Sequence, residues 1–130
     1  MPTILIVDDQ RVNRRILSAA LGSDGFRTIE AADGAEALDA VRKERPALVL
    51  TDIVMPTMDG YEFVRQLRRD SRIAHTPVMF YTANYFEREA RELATACGVF
   101  HVLTKPAKRE TILSTVRAAL ATTLVSTRRR

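Results

Sequence analysis

Ile4-Leu5-Ile6-Val7-Asp8-Asp9 sets four apolar residues in a row and ends them on two acids. Three later stretches repeat the form. They are Leu48-Val49-Leu50-Thr51 before Asp52, Val78-Met79-Phe80-Tyr81 before Thr82, and Val102-Leu103-Thr104 before Lys105. Short apolar runs separated by helical patterns read as parallel strands buried on both faces. In an open α/β sheet, ligands bind just beyond the carboxyl ends of the strands. Asp8, Asp9, Asp52, Thr82 and Lys105 are therefore expected to meet along one sheet edge.

The segments between these runs carry helical spacing. The first has Val12, Ile16, Leu17, Ala20 and Leu21, with Gly22 and Gly25 ending it. A strand over 27–32 follows, and Asp33-Gly34 turns the chain into a helix facing inward through Ala37, Leu38 and Val41. After Pro46 comes the strand 47–52, then a loop from Ile53 to Gly60. The third helix turns Phe63, Val64 and Leu67 inward and Arg65, Arg68 and Arg69 outward. Pro77 opens the fourth strand. The fourth helix, over about 86–97, buries Ala90, Leu93, Ala94 and Cys97 and stops at Gly98. The fifth strand covers 100–104, and the last helix uses Ile112, Leu113, Val116, Ala119 and Leu120. Strand and helix alternate five times, which predicts an α/β doubly wound (βα)5 three-layer sandwich. One domain is expected over 1–122, with 123–130 as a basic C-terminal tail or linker.

A chain of 130 residues suffices for one domain with a substantial core. No apolar run is long enough to cross a bilayer, and the N-terminus lacks a signal-peptide pattern. Cys97 is the only cysteine, which excludes an internal disulfide and fits a reducing cytoplasm. It reads as an ordinary small core residue. Net charge is +4, but the basic residues are spread over several helices among Glu and Asp. That pattern is a solvated surface, and no helix-turn-helix or zinc-finger spacing accompanies it. His75 and His101 show no ligand spacing and read as structural or surface residues; Met55 and Met58 read as packing beside the site loop.

Three clustered carboxylates repel one another unless a cation lies among them. A few hard oxygen ligands open to water suit Mg²⁺, and such a metal also ligates phosphate oxygens. Lys105 and Thr82 would address other phosphoryl oxygens. Asp52 is left as a nucleophile, since a carboxylate is already ionised at neutral pH and forms an acyl phosphate. Taken singly, Asp8, Asp9 or Asp52 reads as a helix or turn cap and Lys105-Pro106 as a turn. Taken together, each at a strand's carboxyl end, they read as a phosphate site.

These residues resemble a response-regulator receiver domain of two-component signalling (CheY-like) over about 3–120. The matching motifs are Val7-Asp8-Asp9, Asp52-Ile53-Val54-Met55-Pro56, Met58-Asp59-Gly60, Thr82-Ala83 and Lys105-Pro106. The resemblance implies the flavodoxin-like sheet order 2-1-3-4-5. It implies that Asp52 accepts a phosphoryl group from a phosphohistidine on a histidine kinase or histidine phosphotransfer protein. Asp9 and Asp52 would ligate Mg²⁺ directly, Asp8 through water, and the Val54 carbonyl would complete the protein ligands. Thr82 would report phosphorylation to the surface around the fourth helix and fifth strand. Lys105 would pair with the phosphoryl group, and the Lys105-Pro106 bond is expected to be cis.

One position departs from the family. Family members often carry Tyr or Phe three residues before the lysine, and Val102 stands there. Phe100 shares its face at a greater distance, and His101 faces the other way. Tyr81, Tyr85 and Phe86 flank Thr82 as alternatives for the readout.

The enzyme alternative is an aspartyl phosphatase of the haloacid-dehalogenase type. Such enzymes need a second Asp two residues after the nucleophile, where Val54 stands. Slow self-hydrolysis of phospho-Asp is expected instead, with Val54 and Asn84 controlling access of water. The other alternative is a receiver module from a hybrid histidine kinase or longer regulator. A downstream effector protein or domain is expected as partner. Direct nucleic-acid or membrane binding is not expected. A cytoplasmic monomer or phosphorylation-dependent dimer is expected.

Overall fold

The computed structural model describes residues 2–83 and 87–128. Asn84, Tyr85, Phe86 and Arg129-Arg130 lie outside the described residues, as does the side chain of Ala90. The elements run β1 (Thr3–Val7), α1 (Arg11–Ser23), β2 (Arg27–Ala31), α2 (Gly34–Glu44), β3 (Leu48–Thr51), α3 (Gly60–Arg69), β4 (Val78–Thr82), α4 (Glu87–Ala96), β5 (Val102–Thr104) and α5 (Arg109–Arg128). The five strands form one sheet in the order β2-β1-β3-β4-β5, and every pairing is parallel. The expected alternation and strand order both hold. The 122/123 division falls inside α5, which continues to Arg128.

Strand residues alternate between two cores, as a period of two requires. Leu5, Val7, Val49, Val78 and Phe80 face α2, α3 and α4 through Ala37, Val41, Phe63, Leu67 and Ala94. Ile4, Ile6, Leu48, Leu50, Met79 and Tyr81 face α1 and α5 through Leu17, Leu21, Ile112 and Val116. Burial on both sides explains why these strands read as continuous apolar runs.

Local chemistry sets the element ends. Asp33 caps α2 by accepting from the Glu36 N–H, and Asp59 caps α3 by accepting from the Glu62 N–H, each at 2.8 Å. Gly98 adopts φ 72°, and the amide of Val99 returns to the Ala94 carbonyl at 2.8 Å. That left-handed turn ends α4 where the sequence places the stop.

Five expectations need correction. Gly22 lies within α1, which runs to Ser23, so only Gly25 (φ 93°) makes the turn. Val12 and Ile16 are exposed, because only the Leu17–Leu21 stripe of α1 reaches the sheet. Leu93 on α4 is exposed while Ala94 and Cys97 are buried. Arg68 does not point outward. Its guanidinium donates to the carbonyls of Cys97, Ala74 and Thr76, at 3.0, 2.9 and 2.5 Å. Its aliphatic stem spans from α3 to the end of α4, and burial holds its pKa below the ordinary arginine value. At the other end of the sheet, β5 begins at Val102, leaving Phe100 exposed before it.

Candidate functional site

Each strand end delivers its polar residue to the same edge. Parallel register aligns Val7 with Thr51, so Asp8 and Asp52 emerge side by side from neighbouring strands, while Lys105 leaves the end of β5, on the far side of β4, and reaches back to them. Carboxylate oxygens of Asp8, Asp9 and Asp52 all lie within 4.8 Å of one another. The Lys105 ammonium bridges two of them, donating to Asp8 Oδ2 at 2.7 Å and Asp52 Oδ2 at 2.9 Å. Burial pushes the Lys105 pKa down, but the bonds to Asp8 and Asp52 outweigh it and the net shift is upward.

Backbone amides hold the remaining oxygens. Asp8 is almost fully buried, and its Oδ1 accepts from the Gln10 N–H at 2.8 Å. Asp52 Oδ1 accepts from the amides of Ile53 and Val54 at 2.7 and 3.3 Å. Asp9 is half-buried, and its carboxylate has no hydrogen-bond donor among the described residues. One ammonium against three acids leaves negative charge in excess. All the side-chain donors are hard oxygens, so the chemistry of the set fits a divalent cation such as Mg²⁺.

The loop 53–59 is folded tightly against β3. Ile53 and Met55 are buried and Val54 is exposed. Gly60 donates to the Ile53 carbonyl at 2.7 Å, and a Cβ on Gly60 would lie 2.4 Å from the Asp52 carbonyl oxygen. Only glycine permits this approach of α3 to the Asp52 loop.

Thr82 is buried at the end of β4, and its carbonyl accepts from the Lys105 N–H at 2.9 Å. Val102 pairs with Phe80 across the ladder and packs in the core beneath α3 and α4, while Leu103 packs in the opposite core. The alternation expected at Val102 is therefore present. The Lys105-Pro106 bond is cis, as the resemblance implies.

The contacts of two residues were not legible in the sequence. Arg14, one turn into α1, donates from Nη1 to the Asp8 carbonyl at 2.7 Å and from Nε to Glu30 at 3.1 Å. It braces the acidic turn against β2. The parallel pairing of Val7 with Ala31 puts Glu30 nearby, a signal available only once register is known. Tyr81 lies under the Lys105 ammonium, 5.5 Å from Nζ to the ring centroid. Cys97 is buried, and burial raises its thiol pKa, in keeping with a core role.

With fold and site defined, the chain can be placed among known proteins. The response regulator receiver domain family matches residues 4–117. The chain belongs to that family, the phosphorelay receivers of two-component signalling. Protein PilH of Pseudomonas aeruginosa is 36% identical over 121 residues, covering 93% of this chain and 99% of PilH. The sensor histidine kinase RcsC of Escherichia coli K12 is 36% identical over 113 residues, which is 87% of this chain but 12% of that kinase. The structure of the Vibrio cholerae chemotaxis protein CheY4 superposes with a TM-score of 0.86 at 34% identity, covering 92% of this chain and 98% of CheY4. No helix among the described residues is long and apolar enough to cross a membrane.

Proposed function

We propose that the chain is a phosphoacceptor whose Asp52 takes a phosphoryl group from a phosphohistidine on a histidine kinase or histidine phosphotransfer protein. The observation carrying this reading is the Lys105 ammonium held on Asp52 and Asp8 beside a third carboxylate. A phosphoryl group has more than one anionic oxygen, and separate cations must meet them.

Asp9 and Asp52, with the Val54 carbonyl, would hold Mg²⁺ directly and Asp8 through water. That assignment is supported by Asp8, whose two oxygens already serve Gln10 and Lys105, and by Asp9, whose carboxylate is unengaged. When bound, the ion neutralises charge on the transferring group. The amides of Ile53 and Val54 orient the Asp52 carboxylate, so that Oδ1 and Oδ2 have different partners before transfer. Lys105 would leave its two carboxylates for the phosphoryl oxygen. Thr82 would donate to another oxygen and change the surface around α4, where an effector protein or domain docks.

Val54 stands where a phosphatase would need an acid, so the phospho-Asp would be lost only by slow hydrolysis, not by enzymatic turnover. A cytoplasmic setting, action as monomer or phosphorylation-dependent dimer, and a linker role for 123–130 belong to the same reading. In a variant of this reading, these residues serve as the receiver of a longer chain, as the matching residues do within RcsC.

The test is phosphorylation by acetyl phosphate with Mg²⁺, read as a gain of one phosphate by intact-mass spectrometry. Asp52→Asn should abolish the gain. A wild-type chain that stays unmodified by acetyl phosphate and by an active kinase would overturn the reading.

A further inference from the structure

Tyr81 stands on β4 where its side chain reaches both the cation of the site and the turn that carries it. Thr82 shares the face of Val78 and Phe80, while Tyr81 shares that of Met79, towards α1 and α5. At this depth the residue is buried, and a buried phenol must find a partner for its hydroxyl. Met79, two residues earlier on the same face, fills space without any such demand. Tyr81 Oη accepts from the backbone N–H of Ala107 at 3.1 Å. Ala107 lies two residues after Lys105 and two before α5 begins at Arg109.

The ring makes the second contact. Lys105 Nζ lies 5.5 Å from its centroid, within the range at which the negative face of a ring attracts a cation. Its three other close contacts belong to the site and the strand. Nζ reaches Asp8 and Asp52, and its amide donates to the Thr82 carbonyl. A lysine stem has four rotatable carbons and retains much freedom unless something limits it. Carboxylates restrain the tip only while they hold it, and a transferring phosphoryl group would draw it off. The ring is a restraint on the tip separate from both acids, and Oη fixes the turn two residues on. One side chain thus ties the end of β4 to the reactive ammonium and to the entry of α5.

We propose that Tyr81 is a positioning residue for Lys105, its ring confining the ammonium and its hydroxyl pinning the Ala107 turn that leads into α5. This rests on the phosphoacceptor reading for its effect on rate, but its geometric part stands apart from it. Tyr81 lies next to Thr82 on β4, so it offers a route from the site to α5 that does not pass through Val102.

Two substitutions separate the two contacts. Tyr81→Phe keeps the ring and deletes Oη; Tyr81→Leu deletes both. The first readout is the ring-current shift on the Lys105 ε-methylene protons, followed by NMR of lysine-labelled full-length chain. That upfield shift should persist in Tyr81→Phe and vanish in Tyr81→Leu. The second readout is hydrogen exchange at the Ala107 amide, expected to accelerate about tenfold or more in both variants as its acceptor is lost. The third is the rate of modification by acetyl phosphate in saturating Mg²⁺. Tyr81→Leu should slow it about tenfold, the scale of a partly buried cation–π contact. Tyr81→Phe should rescue most of that loss. Lys105 resonances and a phosphorylation rate unchanged in a folded Tyr81→Leu protein would overturn the proposal. If Tyr81→Leu does not fold, an Ala107 amide that exchanges at the wild-type rate in Tyr81→Phe overturns it instead. A wild-type chain that takes no phosphate defeats the phosphoacceptor reading, and the two NMR readouts then decide Tyr81 alone.

Discussion

Gly60→Ala and Gly22→Ala are the same chemical change in two helices, and they should move stability in opposite directions. A Cβ at residue 22 meets nothing within 4 Å. There the methyl only restricts the unfolded chain and favours the helix, a gain of roughly 0.5–1 kcal/mol. At residue 60 the methyl falls 2.4 Å from the Asp52 carbonyl oxygen and 2.8 Å from the Ile53 Cα. Both obstacles are backbone, so no rotamer change relieves them. The first turn of α3 must retreat by about 1 Å, because packed interiors hold no slack to absorb the methyl. The Gly60 N–H bond to Ile53, now 2.7 Å, lengthens with it. Overpacking costs about 1–3 kcal/mol, and a weakened hydrogen bond adds about 1 kcal/mol. Setting the helix-propensity gain against these leaves a loss of about 2 kcal/mol. For a domain of this size that is a fall of roughly 6–8 °C in Tm. Urea unfolding and thermal melts followed by circular dichroism give both quantities. A Gly60→Ala protein as stable as wild type would refute the close approach of α3 to the Asp52 loop. A loss at Gly22 equal to that at Gly60 would show that helical glycines, not this contact, set the effect.

Two further outcomes follow from the charged groups outside the site. Arg68→Met should cost about 2–3 kcal/mol, since it leaves the carbonyls of Cys97, Ala74 and Thr76 without their charged donor. Arg65→Met, on the exposed face of the same helix, should stay within about 0.5 kcal/mol in the same urea titration. Asp70 governs part of the acid limb. Bonds from Arg72, by side chain and amide, and from Arg42 hold its carboxyl well below the ordinary carboxylate range. A depressed folded-state pKa means that the unfolded chain binds the proton more readily. The contribution is therefore complete above the ordinary value of 3.8 and fades as pH falls through the folded-state value. Asp70→Asn should flatten urea midpoints measured between about pH 2 and 5, and an acid limb as steep as wild type would exclude this role.

Much of the fold was legible because it depends on local pattern. Four apolar runs, each ended by a polar residue, placed Asp8, Asp52, Thr82 and Lys105 at carboxyl ends of parallel strands. Asp33 and Asp59 precede helices that they cap, and Gly98 follows one that it ends. Such signals are carried by a few neighbouring residues, so no tertiary information is needed to read them. The site was legible for the same reason. Strand ends share an edge once strands are parallel, and the sheet order brings β1, β3 and β5 residues into reach of one ammonium.

Other features depended on how far each neighbour extends. Helical spacing marks Val12, Ile16, Leu17 and Leu21 alike, yet the sheet covers only the last two. Periodicity gives the direction of a side chain and not the width of the surface opposite it. Arg68 occupies an outward position by count, but its long stem carries the guanidinium back to carbonyls left open at the end of α4. Tyr81 reads as a strand residue flanking Thr82, but its contacts with Lys105 and Ala107 exist only because β5 lies beside β4. The sequence by itself therefore determined which residues form strands and which charges stand at their ends, since these follow from spacing along the chain. The tertiary structure alone decided which partners those charges meet and what restrains them, since these follow from contacts between residues far apart in sequence.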